Sequence, residues 1–300
     1  MLAKIIGLKN QALSKFYFQL KARKYINHAF AKNTYVNYHS DWKHFSIWCR
    51  SVDIEPLQAT HATLAAYITL LADQGYKATT IQRKISAIAK LSQLAHHKIN
   101  LKHPDFMVLW QGIRRKLGIS KKGKEPILLS TLKLILAAIP ESTLGKRDKA
   151  LIAFGWASAM RRSEIVMLNW EDIKFVQEGI IVTIKQSKTD QYKEGQKIAI
   201  LYGHNPSTCP VCILKAWKEF SDIEEQSPVF CSISKAGNNK NIRLSDKDVA
   251  RVIKKYAKVI GLEVSGLAGH SLRSGFITTA SKNGVPYHTI MKHFDIKTRK

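Results

Sequence analysis

Gly269-His270-Ser271-Leu272-Arg273-Ser274-Gly275 is the stretch from which the rest of the chain is read. The glycine ahead of the histidine frees the backbone to turn. The run Phe276 to Asn283 then reads as a short helix stopped by Gly284, with Pro286 just beyond it. His270 and Arg273 are three residues apart, so on a helix start they share one face. Imidazole and guanidinium together suit an anionic oxygen centre. The guanidinium is a planar fork for phosphate, and histidine moves protons near neutral pH. H-x-x-R quartets are common surface decoration, so this pair acquires meaning only from what lies upstream.

Composition points toward phosphate as well. Lys and Arg number 48 against 22 Asp and Glu, a formal net charge of +26, and 45% of the chain is hydrophobic, enough for two domains with real cores. Such a field attracts polyanions: DNA, RNA or an anionic membrane surface. No apolar run is long enough to span a bilayer, so a membrane role would have to be peripheral, and no secretory signal is present. The first forty residues hold seven Lys or Arg and no acidic residue. They read as a basic arm rather than a transit peptide, because aromatic periodicity runs straight out of them. Cys49, Cys209, Cys212 and Cys231 are too scattered for a disulfide framework, which points to a reducing cytoplasm.

From Thr34 the spacing predicts a helix with Tyr35, Tyr38, Trp42, Phe45 and Trp48 on one stripe, most simply a packed core face. A second helix starts near Thr60 and buries Leu64, Tyr67, Ile68 and Leu71. Thr79 and Thr80 open a third, with Ile81, Ile85, Ile88 and Leu91 inward and Arg83, Lys84 and Lys90 elsewhere on the cylinder. Pro104 starts a fourth, through Phe106, Leu109, Trp110 and Ile113 to Arg114-Arg115-Lys116. No strand signal interrupts this helical block. Its cations are candidate phosphate contacts: Arg83, Lys84, Lys90, Arg114 and Arg115, joined by Lys121, Lys122 and Lys124 of the segment that follows. Residues 118–126, with two glycines, a proline and three lysines, read as a linker. A basic flexible linker suits two domains closing around a nucleic acid.

Ser130 is a plausible N-cap for a helix from Leu132 to Ile139. A buried helix follows, from Arg147 through Phe154 and Trp156 to Ser158-Ala159-Met160-Arg161-Arg162-Ser163-Glu164. Small residues before the arginines, and a Ser-Glu cap after them, predict a helix-turn-helix joint with cations at the bend. Ile180 to Ile184 and Lys197 to Ile200 read as a hairpin whose long tip carries Lys188. Cys209-Pro210-Val211-Cys212 reads as a helix start with incidental cysteines, since a structural zinc wants four ligands and no second pair exists. Pro228 to Phe230 reads as a short strand, Asp246 to Leu262 as a basic amphipathic helix, and 261–269 as the loop delivering His270.

Met160-Arg161-x-Ser163-Glu164, a hairpin lysine, His270-x-x-Arg273, and Gly284-Val285-Pro286 with Thr289-Ile290-Met291 together resemble the tyrosine recombinase (phage integrase) family. The resemblance implies a mainly α fold with a small β-sheet: a basic arm (1–29), a helical core-binding domain (30–117), a linker (118–126) and an α+β catalytic domain (127–300). It implies that Arg161 and Arg273 clamp the scissile phosphate and stabilise its developing charge. Lys188 would protonate the departing 5′-oxygen, His270 would relay a proton, and Glu164 would support Arg161 or His270. A tyrosine would attack and conserve the ester energy in a phosphotyrosyl bond, with no metal or other cofactor in the scheme. The implied partners are double-stranded DNA and further copies of the chain on it, in the cytoplasm at the nucleoid.

Register selects Arg161 over Arg162, which becomes a phosphate-steering or solvent charge. The family's second histidine or tryptophan would fall on Ile296, with His288 and His293 out of register. The nucleophilic tyrosine would lie beyond it. Tyr287, Tyr256 and Tyr202 occupy other places, so the catalytic domain is expected to be C-terminally incomplete, with no nucleophile in the chain. The alternatives are a non-catalytic DNA-binding remnant at recombination sites and a type IB topoisomerase-like enzyme.

Overall fold

The computed structural model describes residues 32–118, 123–185, 196–221 and 224–293. The chain divides into two compact units, one within residues 1–121 and one within 122–300. The architecture is mainly helical with small antiparallel sheets in the second unit.

The first unit is built from α1 (Lys32–Ser51), α2 (His61–Asp73), α3 (Ala78–Leu94) and α4 (Pro104–Leu117). Its helix boundaries follow local chemistry. Thr60 caps α2, its side chain accepting from the Thr63 amide while Thr63 reaches back, and Pro104 occupies the first turn of α4. Trp42, Phe45, Leu64, Tyr67, Ile68, Leu71, Ile81, Ile85, Ile88 and Leu91 form one core, as their spacing predicts. Two charged residues belong to this interior, Asp41 and Lys84. Lys84 is buried, its Nζ lies 3.4 Å from Asp41, and Asp41 also pairs with Arg83. Lys84 is thereby withdrawn from the phosphate-facing set that the sequence suggested, because Asp41 draws its ammonium inward from α1.

The second unit comprises α5 (Leu129–Ala137), α6 (Thr143–Ser158), α7 (Arg162–Met167), β1 (Ile173–Val176), β2 (Gly179–Ile184) and β3 (Gln196–Leu201). It continues with α8 (Pro210–Ser221), β4 (Cys231–Ile233), β5 (Asn239–Arg243), α9 (Asp246–Val259), α10 (His270–Lys282) and α11 (Tyr287–His293). Ser130 lies inside the first turn of α5 and makes no cap, because the helix already begins at Leu129. The three-stranded sheet runs β1-β2-β3, all antiparallel, with Ile173 opposite Val182 and Ile180 opposite Ile200. Ile180, Val182, Ile184, Ile198 and Ile200 point into the core, the period-two pattern of a half-buried sheet. The hairpin tip, with Lys188, lies outside the described residues.

The expected strand at Pro228 to Phe230 is displaced by one step. Pro228 makes only an isolated bridge to Asn169, and the strand proper is Cys231–Ile233, paired with Asn239–Arg243. Proline has no amide to donate into a ladder, which explains the shift.

Helix α6 is the axis of this unit and is buried along most of its length, Arg147 and Asp148 included. Their charges are matched inside: Arg147 Nε lies 2.8 Å from Asp148, its NH1 donates to the Cys231 carbonyl, and Tyr256 donates to Asp148 at 2.8 Å. Buried charges of this kind persist only when paired and hydrogen-bonded.

Candidate active site

Helix α6 ends at Ser158, and Ala159 follows in the left-handed region with φ 45° and ψ 27°. A residue with a Cβ adopts that conformation at a cost on the order of 1–2 kcal/mol. The reversal leaves the Ala159 carbonyl to accept a 2.7 Å hydrogen bond from the Arg273 guanidinium, from 114 residues away. Met160, buried, anchors the next step of the chain. Arg161 then occupies the N-cap of α7.

The cap chemistry differs from the expected Ser-Glu arrangement. Glu164, at the third helical position, accepts from the Arg161 amide at 2.8 Å with one carboxylate oxygen and from the Arg161 guanidinium at 2.6 Å with the other. Ser163 is only a first-turn residue. The buried Glu164 carboxylate thus fixes both the backbone and the side chain of Arg161. Of the two partners open to Glu164 in the sequence, the structure gives Arg161.

Arg273 is set by the packing of α10. Its neighbours Ser271 and Leu272 are buried, and a Cβ on Gly155 of α6 would come within 2.9 Å of Leu272 Cδ1, so the two helices meet at that glycine. A strap formed by Glu125 to Ile127 holds the start of α10. The Ile127 amide donates to the Ser271 carbonyl at 2.9 Å, and its carbonyl accepts from Trp156 Nε1 at 2.8 Å. A Cβ on Gly275 would stand 1.9 Å from that carbonyl oxygen, so glycine is required there. Lys124 Nζ and the Glu125 amide donate to the carbonyls of Ser265 and Gly266. The end of the expected linker is therefore fastened to the loop leading into His270.

The electrostatics bear the mark of this convergence. Burial, and then the positive charge of Arg161, hold Arg273 below the ordinary arginine range, with Glu164 acting in the opposite direction. A guanidinium remains charged throughout, so the direction records burial first and the positive charge of Arg161 second. His270, exposed, is the first residue of α10, one turn ahead of Arg273.

Arg162 and Gly269 both differ from expectation. Arg162 Nε lies 3.0 Å from Asp246 of α9, so it ties α7 to α9 rather than serving as a steering or solvent charge. Gly269 has an ordinary helical φ of −57°. Its lack of a Cβ matters for space instead, since one would stand 2.9 Å from Arg162 Cδ.

Several contributors carried no sequence signal. The Ala159 carbonyl is one, and the base of the β2–β3 hairpin is another. There Lys185 Nζ lies 2.5 Å from Glu171 and 2.8 Å from Asp172, and hydrogen bonds to Asp172 and then Glu171 raise its pKa. An acidic pair immediately ahead of β1 was the only available clue. Among the other sequence candidates, Arg114 and Arg115 are exposed on the last turn of α4 and Lys90 is half-buried. Arg83 shares Asp41 with Lys84. Lys121, Lys122, Lys188 and Ile296 lie outside the described residues.

Known proteins share this organisation. The profile of the phage integrase family matches residues 127–298, and that of the phage integrase N-terminal SAM-like domain matches residues 16–98. An integrase/recombinase XerD homolog of Selenomonas ruminantium is 39% identical over 286 residues, 94% of this chain and 83% of that protein. The tyrosine recombinase XerD of Vibrio cholerae is 24% identical over 296 residues, 97% of this chain and 89% of its own length. Among solved structures, XerH bound to palindromic difH superposes with a TM-score of 0.68 at 15% identity, covering 99% of this chain and 87% of that one. A lambda integrase dimer bound to a COC′ core site gives 0.63 at 19% identity, covering 92% of each chain, which shows a common fold. With the family profile spanning more than half of its length, this chain belongs to the phage integrase family of tyrosine recombinases.

Proposed function

We propose that the chain is a site-specific recombinase that grips a phosphodiester of double-stranded DNA between Arg161 and Arg273. The observation that supports this is the Arg273 bond to the carbonyl of Ala159, two residues ahead of the arginine that Glu164 fixes. Two like charges held together by structure are stabilised by an anion bound between them. Phosphate offers two non-bridging oxygens for two planar forks. In this reading the pair also stabilises charge that builds on phosphorus during transesterification. His270 passes a proton to or from the tyrosine and the attacking hydroxyl, and Lys188 protonates the leaving 5′-oxygen. Lys90, Arg114, Arg115, Lys121, Lys122 and Lys124 contribute phosphate contacts that position the duplex, while Arg83 is committed to Asp41. The relatives whose structures hold a dimer on a core site or a tetramer on a Holliday junction support assembly of several copies on DNA.

The nucleophile is the remaining part. Tyr256 is buried, and its hydroxyl is bound to Asp148 with its pKa raised by burial and by that carboxylate. Tyr67 is buried in the first unit beside His44. Neither can attack phosphorus. Tyr202 and Tyr287 are exposed on other elements, and we assign the role to none of the tyrosines. The 300 residues then grip DNA without cutting it unaided. A nicked suicide duplex tests this: the expected result is binding, weakened in Arg161→Ala and Arg273→Ala, with no covalent adduct. A denaturant-resistant adduct would overturn the non-cutting part and leave the clamp standing. Equal binding by the arginine variants would overturn the clamp. Relaxation of supercoiled plasmid without strand exchange would favour the topoisomerase-like alternative.

A further inference from the structure

Cys209 and Cys212 flank the start of α8, and the phosphodiester chemistry has no use for either. Cys209 is buried, and its carbonyl accepts from the Ile213 amide at 3.0 Å, so the two cysteines are separated by one nascent helical turn. Its sulfur accepts from the Gly203 amide at 3.1 Å and from the Cys212 amide at 3.4 Å. The Cys212 side chain is half-exposed at the same helix start. Among the described residues, no third histidine, cysteine or carboxylate brings a ligand atom to the pair, which leaves a structural zinc without its coordination shell. Residues three apart at a helix start fall within the roughly 4.4–6.8 Å Cα separation that a disulfide spans.

We propose that Cys209 and Cys212 form a redox-active dithiol that closes to a disulfide on reaction with small-molecule disulfides of the glutathione class. The reaction takes two steps. The Cys212 thiolate attacks one sulfur of oxidised glutathione, the glutathione S–S bond breaks, and one glutathione leaves as a thiolate that takes a proton from solvent. The Cys209 thiolate then attacks the Cys212 sulfur, and the second glutathione leaves in the same way. The protein gives up two electrons and two protons, and one glutathione disulfide becomes two thiols.

The electrostatics of the pair fit those roles. Burial works against ionisation of Cys209, but the hydrogen bonds that converge on its sulfur, from the Cys212 and Gly203 amides foremost, outweigh it and bring the thiol below its ordinary range. It is a resolving thiolate already shielded from the outside. Burial and the bond to Cys209 push Cys212 upward, so it is the exposed and slower entry point. The other cysteines provide an internal contrast. Cys49 is fully buried and pushed up to about 11 by burial, and Cys231 is buried, raised, and donates to the Pro228 carbonyl. Neither has a second sulfur to close on among the described residues.

The test uses the full chain, incubated with glutathione buffers of increasing oxidation and quenched with acid. Intact mass should show the loss of two hydrogen atoms, peptide mapping should link residues 209 and 212, and dithiothreitol should reverse it. Cys49 and Cys231 should remain alkylatable thiols. Cys209→Ser should accumulate a stable glutathione adduct on Cys212, because the resolving sulfur is gone. A mixed disulfide that persists on Cys212 in the unaltered chain would overturn the proposal. So would oxidation of Cys49 or Cys231 in preference, or retention of stoichiometric zinc that blocks oxidation. The readouts on the unaltered chain stand even where a serine variant fails to fold.

Discussion

In the helical unit, Asp41 collects the charges of Arg83 and Lys84, and the lysine turns inward to reach it. In the second unit, Glu164 holds Arg161 and the Ala159 carbonyl holds Arg273, with the positive charge of Arg161 acting on Arg273. Both arrangements are cations near a carboxylate, yet they serve opposite ends. The first neutralises charge so that a core can form around it. The second orders positive charge, which in the proposed function meets an anionic partner. Total charge therefore does not identify a binding site; the partner that each cation already has does.

The largest expected effect breaks the first arrangement. Asp41→Ala leaves Lys84 buried without its counter-charge, and removing one member of a buried pair costs about 3–5 kcal/mol. Thermal or urea unfolding should show the helical unit lost or strongly destabilised. Lys84→Met, with Arg83 still on Asp41, should leave duplex affinity unchanged; a fall like that of an exposed arginine would contradict its burial.

The second arrangement is broken by Arg273→Ala. Hydrogen bonds to charged groups contribute about 1.5–3 kcal/mol, so duplex affinity should fall by roughly tenfold to a hundredfold. Fluorescence anisotropy at fixed salt measures it. Folding should be affected much less, since the Ala159 carbonyl can be met by water once the guanidinium is gone. Exposed cations come next. Arg114→Ala or Arg115→Ala should weaken binding a few-fold and reduce the slope of log affinity against log salt by about 1 each, if each meets one phosphate.

The smallest effect concerns pH. Asp248 accepts from the Ser245 hydroxyl and amide and from Arg251 at the start of α9, and the Ser245 hydroxyl bond foremost holds it below the usual aspartate range. A carboxyl depressed in the folded state stabilises it above its unfolded pKa of about 3.9, and that contribution fades as pH falls through the depressed value. Asp248→Asn should lower the unfolding midpoint slightly at pH 7, and the difference should shrink toward pH 3. A difference that grows on acidification would contradict the cap.

Much of the helical unit was legible in advance. Leu64, Tyr67, Ile68 and Leu71, and likewise Ile81, Ile85, Ile88 and Leu91, repeat at helical spacing and are buried as that spacing requires. Thr60 and Pro104 mark helix starts by chemistry that acts over a few residues. The second unit was less open to reading wherever a residue's role depends on a distant segment. Strand β5 has the composition of a loop. It forms because it pairs with β4 and because Arg243 donates to the Val166 and Leu168 carbonyls. Gly269 looked like a turn residue, but its smallness serves the side chain of Arg162, more than a hundred positions earlier.

By itself the sequence determined the helical periodicities, the basic character, the order of Arg161, Glu164, His270 and Arg273 along the chain, and the family they resemble. Spacing, propensity and charge are properties of neighbouring residues and need no fold to express them. Only the tertiary structure decided which carbonyl receives Arg273, which carboxylate Arg83 and Lys84 share, and which lysine disappears into a core. Those outcomes rest on contacts between segments far apart in sequence, where burial and geometry choose among partners that composition leaves equivalent.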